Sequence, residues 1–358
     1  MISRPDQVTP EWITAALRAS GAAPPGARVT AVRGSPLPGG QLGWCVRFRL
    51  SWSGPPGGPG SLVGKFPAAD RRSRLTGVGS AVYRRELEFY TRLARQLPIR
   101  VPRCHLAEHD PATGEFAVLL ADAAPARPRD QLRGADPADI ALALAELARL
   151  QAAFWGGTGL AGHGWLPVRG AGGGRRRAAI YQLLAGRFLT RYGPRLSPLA
   201  RRVLAGFGSR VRRWAAAEAP PFTLLHGDLR LDNLLFGDGR TAARLTVVDW
   251  QTVAVGAGAA DAAHLIGGGL PVPVRRAHEP ELFRLYRRAL RAGGVSWPEP
   301  HCRYSYRLGS LAGLHLTVVG AMLVGPDPAG DARFLSMAER HAAHAADLAA
   351  LALLDAGR

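Results

Sequence analysis

Residues 224–236 read LLHGDLRLDNLLF, two apolar runs bracketing a polar loop with the skeleton HxDxxxxN at His226, Asp228 and Asn233. Shortly after, residues 245–251 read LTVVDWQ, a second apolar strand that ends on Asp249. Apolar strands that deliver Asp228, Asn233 and Asp249 to one place suit a metal–phosphate site. Mg²⁺ takes hard oxygen ligands, usually one or two carboxylates completed by phosphate oxygens. A separate aspartate can then accept the proton of an attacking hydroxyl. Each residue alone is also what an ordinary turn selects. Their order, with Lys65 and Glu86 upstream, is what favours chemistry.

Of the 46 basic residues, 45 are arginine and Lys65 is the only lysine. A lysine kept against that bias points to a need for a compact ammonium, which a planar guanidinium does not replace. The net charge of +19 raises the question of nucleic-acid binding. The basic residues are spread thinly, however, with short clusters only at 71–74 and 175–177, and no aromatic-interleaved stripe or zinc spacing accompanies them. Scattered solvated arginines, in a chain rich in Arg, Ala, Gly and Pro, are the simpler reading. With 47% hydrophobic and 20% charged residues the chain is globular rather than disordered. Cys45, Cys104 and Cys302 form no CxxC pair and read as reduced thiols of a cytoplasmic protein. Residues 1–17 carry no signal-peptide pattern. The uncharged run over 308–325 contains Ser310, His315 and Thr317, and reads as a buried helix rather than a membrane span. Neither a membrane nor a nucleic-acid partner is expected.

The elements that must position these residues follow from pattern. Thr9, Pro10 and Glu11 supply an N-cap, a first-turn proline and an acidic first turn for a helix ending near Gly21. Residues 44–52 alternate, with Trp44, Val46, Phe48, Leu50 and Trp52 on one face, which predicts a strand burying that face. A glycine-rich turn over 38–43 precedes it, and the breaker GPPGGPG over 54–60 separates it from a strand over 61–66 that carries Lys65. A helix over 78–97 carries Glu86. Strands over 103–109 and 115–120 follow, then an Ala/Pro-rich hinge over 121–128. Asp136 and Pro137 open a helix running through Phe154, and further helical stretches lie near 178–192, 198–217, 280–292, 303–324 and 331–354. A strand-rich first third and a helix-rich remainder predict an α+β chain: a small antiparallel-sheet lobe over 1–121 hinged to a larger, mostly helical lobe over 122–358.

These segments together resemble the aminoglycoside phosphotransferase superfamily, in particular its ecdysteroid-kinase-like and choline-kinase-like small-molecule kinases. The resemblance spans nearly the whole chain. It covers the helix at 9–17, VGKF at 63–66, RELEFY at 85–90, VLLAD at 118–122 and AFWG at 153–156, then the loop at 226–236, DWQ at 249–251, and GAG at 256–258 followed by Asp261. It implies a bilobal protein-kinase-like fold, a nucleotide-binding N-terminal lobe, a catalytic and acceptor-binding C-terminal lobe, and ATP and Mg²⁺ as cofactors. The implied activity is phosphoryl transfer to an alcohol group of a small molecule. By position, Asp228 is the catalytic base, Arg230 offsets charge near the γ-phosphate, and Asn233 and Asp249 hold Mg²⁺. Lys65 contacts the α- and β-phosphates, Glu86 orients it (Glu88 being the runner-up), and Gly39 and Gly40 belong to the nucleotide turn. His226 and Asp261 are expected to support the loop.

The departures matter too. DWQ stands where protein kinases have DFG, Gly227 replaces the arginine of HRD, and no APE segment or activation loop follows. Gln151 occupies a place where relatives often carry histidine, and Asp122 follows an alanine where they often have Glu-Asp. Residues 262–358 hold 11 arginines and 8 carboxylates, which is not the surface a polycation selects. A neutral or anionic hydroxylated compound is expected instead, such as an antibiotic or secondary metabolite, on a monomer or homodimer. The readings from other classes are a catalytically inactive kinase-like scaffold and a basic nucleic-acid-binding protein.

Overall fold

The computed structural model describes the chain apart from residues 38–42, 56, 69–80, 240–243, 325–326 and 356–358. Gly39, Gly40 and the arginine cluster at 71–74 therefore lie outside the described residues. The chain forms two compact units, Met1–Gln96 with Arg100–Pro125, and Leu97–Ile99 with Ala126–Arg358.

The first unit is built on an antiparallel sheet of β1 (Arg28–Pro36), β2 (Gly43–Ser53), β3 (Ser61–Pro67), β4 (Cys104–His109) and β5 (Phe116–Ala121), in the order β1-β2-β3-β5-β4. Helix α1 (Pro10–Ala19) starts where Thr9 Oγ1 accepts the Trp12 N–H at 3.2 Å. Its Ile13 and Leu17 join Val29, Val46, Phe48, Leu62, Phe66 and Ala117 in one core. Phe48 and Phe66 meet edge to face, 6.2 Å between centroids. Gly64 makes that pairing possible, since a Cβ there would lie 2.6 Å from Phe48 and 2.7 Å from Phe66. Trp44 departs from the expected pattern. It is 45% exposed, and the buried alternation begins at Val46. Of the helix expected over 78–97, residues 78–80 lie outside the described residues; helix α2 (Val82–Glu88) ends earlier than expected and passes into a π-turn (Phe89–Leu93) and a 3₁₀ turn (Ala94–Gln96).

The second unit is mostly helical, with α3 (Pro137–Ala153), α4 (Ala171–Tyr192), α5 (Pro198–Ala217), α6 (Ala259–Gly269), α7 (Val272–Ala292), α8 (Glu299–Leu323) and α9 (Pro328–Asp347). Two short antiparallel pairs hold the polar loop: β6 (Phe222–Leu225) with β9 (Ala254–Ala257), and β7 (Leu234–Phe236) with β8 (Leu245–Val247). Helix α7 begins well before 280 and carries Pro280 inside it. Every residue of α6 is buried, and α8 packs as a core helix. Among the described residues no helix is long and apolar enough to cross a membrane.

A buried histidine in α8 gives this fold an acid limit. His315 stacks on Tyr181, with centroids 5.9 Å apart, and its Nε2 lies 3.2 Å from the Arg177 carbonyl. Burial, reinforced by the Arg177 charge, pushes it from an ordinary value near 6.5 down to about 3. A histidine kept neutral in the native state protonates more readily when unfolded. The stability it supports is therefore complete above its unfolded pKa and is lost as the pH falls through the window from 6.5 toward 3. Thermal melts taken from neutral pH downward should show the decline beginning near the ordinary histidine range. A melting temperature that stays flat through that range would contradict it.

Candidate active site

The loop between β6 and β7 is fixed from several sides. The His226 backbone N–H donates to Asp261 Oδ2 at 2.7 Å and the Gly227 N–H to Asp261 Oδ1 at 3.1 Å. Asp261, on α6, thereby ties the loop. The His226 ring is placed by its two nitrogens: Nε2–H donates to the Val248 carbonyl at 2.9 Å, and Nδ1 accepts the Asp228 N–H at 3.3 Å. Trp250 packs against that ring at 4.8 Å. The Thr252 hydroxyl donates to the His226 carbonyl at 3.0 Å. His226 thus links the loop to the strand that ends on Asp249, a supporting role with both ring nitrogens engaged.

Gly227 stands where protein kinases carry arginine, and the backbone explains why. Its φ is +86°, and a Cβ would fall 2.3 Å from the Thr252 carbonyl oxygen and 2.7 Å from Arg169. Gly227→Ala should therefore cost at least ~2 kcal/mol of stability from left-handed strain and steric overlap. A melting temperature within a degree of wild type would contradict it.

Asp228 is the centre of the polar cluster. Arg230 Nε donates to its Oδ2 at 3.1 Å, and His264 Nε2 lies 3.3 Å from its Oδ1. Burial opposes the charged form. The Arg230 guanidinium and the hydrogen bond from His264 outweigh it and hold the carboxyl well below the usual carboxylate range. Arg230 also reaches Asp232 Oδ2 at 2.5 Å. Burial works against its charge, but the carboxylates of Asp228, Asp232 and Asp249 more than compensate. One guanidinium among three carboxylates leaves the cluster negative.

Asn233 and Asp249 are presented by the ends of the short strands. The Asn233 side-chain amide donates to the Asp228 carbonyl at 2.9 Å, which turns its Oδ1 away from that contact. Its backbone carbonyl accepts from the Val248 N–H at 3.0 Å. Asp249 adopts φ 66°, ψ 66°, left-handed backbone that Asp and Asn tolerate better than other side chains. Gln251 Nε2 lies 3.4 Å from its Oδ2. Among the described residues, no group of three or more His, Cys, Asp or Glu side chains is arranged to hold a metal by itself. One carboxylate and one amide oxygen instead match a hard cation that completes its shell with phosphate and water.

In the first unit, β3 places Lys65 in register between Cys45 and Val118. Its Nζ lies 2.5 Å from Glu86 Oε1 of α2, with side chains 15% and 5% exposed. Glu88 turns instead to Arg92 at 3.1 Å and Arg84 at 3.8 Å. Asp122 is held by Arg47 at 2.7 and 3.1 Å and by Ser61 at 2.7 Å. Gln151 is fully buried, donates to the Gly258 carbonyl and accepts from Tyr286, so it braces the turn ahead of α6. His264 carries no sequence motif. The signal that points to it is a polar side chain inside the apolar run AADAAHLI.

A family model described as the phosphotransferase enzyme family matches residues 71–306. The chain belongs to this family. The superfamily resemblance and the α+β bilobal class expected from sequence are both found. This phosphotransferase is similar in fold to a candidate aminoglycoside phosphotransferase from Ralstonia eutropha JMP134. The two are 17% identical with a TM-score of 0.52, over 94% of this chain and 98% of that one. It is also similar in fold to wild-type aminoglycoside 2′-phosphotransferase-IIIa, solved with GDP, at 16% identity and a TM-score of 0.51, over 93% and 98% of the respective chains. No curated protein matches the phosphotransferase.

Proposed function

We propose that this phosphotransferase moves the γ-phosphoryl group of a Mg²⁺-bound nucleoside triphosphate, ATP in the first instance, to a hydroxyl of a neutral or anionic small molecule. The observation that carries the reading is the Asp228 carboxylate, kept ionised between Arg230 and His264 on a loop that also presents Asn233. Its conjugate acid is strong, so it is a weak base. That suits phosphoryl transfer, where positioning and electrostatics dominate and the hydroxyl proton is accepted late. Asp228 receives that proton, and Arg230 offsets charge as the phosphoryl group passes. Asn233 Oδ1 and the Asp249 carboxylate hold Mg²⁺, which when bound neutralises phosphate charge. Lys65, oriented by Glu86, contacts the α- and β-phosphates. Residues 1–121 serve nucleotide binding, and residues 122–358 serve catalysis and acceptor binding.

The acceptor class is supported by where the acidic side chains go. All eight carboxylates of residues 262–358 are already engaged by protein groups. Asp327 and Glu339 serve helix starts, and the other six pair with arginines, leaving little to attract a polycation. The test is γ-phosphate release from ATP and, separately, GTP, with and without Mg²⁺, against a panel of hydroxylated antibiotics and metabolites. The GTP arm matters because the fold relative named above was solved with GDP. Mg²⁺-dependent turnover raised by a neutral or anionic member supports the reading. Failure to bind either nucleotide would overturn it.

A further inference from the structure

We propose that His264 is a positioning residue for Asp228, holding one carboxylate oxygen through Nε2–H while His341 keeps its ring flat. This rests on the reading of Asp228 as the base. Arg230 and His264 take one oxygen each, so the carboxylate cannot turn about its terminal torsion without breaking one of the two contacts. Each oxygen retains a further lone pair for the incoming hydroxyl proton.

The tautomer of His264 follows from its neighbour. An anionic oxygen at 3.3 Å requires a hydrogen on Nε2. That leaves the buried Nδ1 without a hydrogen-bond partner among the described residues. With Nε2 committed as a donor, His264 offers Asp228 no acceptor and does not take over its proton. It orients the base and is not itself one.

The surroundings of His264 are costly, and the cost has no return in packing. His341 of α9 stacks on His264 with centroids 4.8 Å apart and planes 10° from parallel, fully buried, with neither ring nitrogen hydrogen-bonded among the described residues. Burial, with His264, His344 and Arg340 nearby, pushes its pKa well down, so it is a neutral plate. Room for that plate comes from glycines: a Cβ on Gly268 would lie 2.8 Å from His341, and one on Gly313 2.2 Å. Glycine inside a helix and two unsatisfied buried nitrogens both lower stability. An aliphatic side chain at 341 would satisfy packing more cheaply. A fold that carries such costs beside its base is using them to place that base.

The experiment measures kcat and KM for Mg²⁺-ATP turnover, nucleotide affinity and melting temperature in four variants of the full chain. His264→Phe keeps the stacked ring and removes the donor. It should lower kcat about tenfold with nucleotide affinity unchanged. His264→Gln, which can return an N–H near the Nε2 position, should recover most of that loss. His341→Leu removes the plate; it should raise the melting temperature yet lower kcat, opposite movements that a purely structural role does not produce. This variant decides the question if His264→Phe fails to fold. Asp228→Asn is the control. If it is inactive while His264→Phe and His341→Leu turn over at the wild-type rate, the positioning role is overturned and the base assignment stands. If Asp228→Asn itself turns over normally, the base assignment falls and the inference with it.

Discussion

Asp228→Asn should abolish most phosphoryl transfer while leaving nucleotide binding intact, a fall of about 10²–10⁴ in kcat, the usual contribution of a general base. The substitution keeps the shape of the side chain but replaces one oxygen with a donor. If that donor faced Arg230 it would meet another N–H, so the amide should turn it toward His264. His264 can accept it by moving its own hydrogen to Nδ1, which has no competing partner among the described residues. The fold should therefore tolerate the change. Asn233 and Asp249 keep their oxygens, so affinity for Mg²⁺-nucleotide should stay within a few-fold of wild type. Calorimetry with Mg²⁺-ATP and single-turnover transfer separate the two effects. Transfer at the wild-type rate would remove Asp228 from the mechanism.

Asp249→Asn should fail in a different way. The left-handed backbone at position 249 suits asparagine as well as aspartate, so the exchange tests the carboxylate without the strain an alanine would add. With the charge gone, a hard cation loses its only carboxylate from the proposed ligand pair. Productive nucleotide binding should weaken along with turnover, by more than about a hundredfold in kcat/KM, beyond what losing a supporting contact to a metal ligand costs. Raising the Mg²⁺ concentration should restore part of the activity here and none of it in Asp228→Asn. An Asp249→Asn enzyme with unchanged Mg²⁺ dependence would place the cation elsewhere.

The polar loop was legible in the sequence because its signal is local: two apolar runs fix short strands, and the residues between them have little freedom in where they sit. Lys65 was legible for a compositional reason, as the lone ammonium in an arginine-rich chain. What stayed hidden depended on partners far along the chain. Strand β1 shows no clean alternation because, of its nine residues, only Val29 is fully buried, as an edge strand permits. Trp44 fits the alternation but lies at the strand end, beyond the buried core. His264 looks like one residue of an apolar helix. Its surroundings appear only when α6 lies against Asp228 on one side and His341 on the other. The glycines that admit His341 look like helix breakers until the ring they accommodate is known.

The contact between Lys65 and Glu86 has a practical consequence. An amine attacks acylating reagents only through a free and accessible nitrogen lone pair, and Lys65 Nζ is ion-paired at 2.5 Å on a side chain 15% exposed. The native protein should thus resist acylation at its single side-chain amine, while a chain in which β3 has parted from α2 should react at the rate of free lysine. A mass increment on the peptide that carries position 65 would then report the opening, in a chain of 358 residues with no other lysine side chain to confuse the count. The residue proposed to grip phosphate is at the same time a built-in chemical footprint of the sheet–helix contact that holds it.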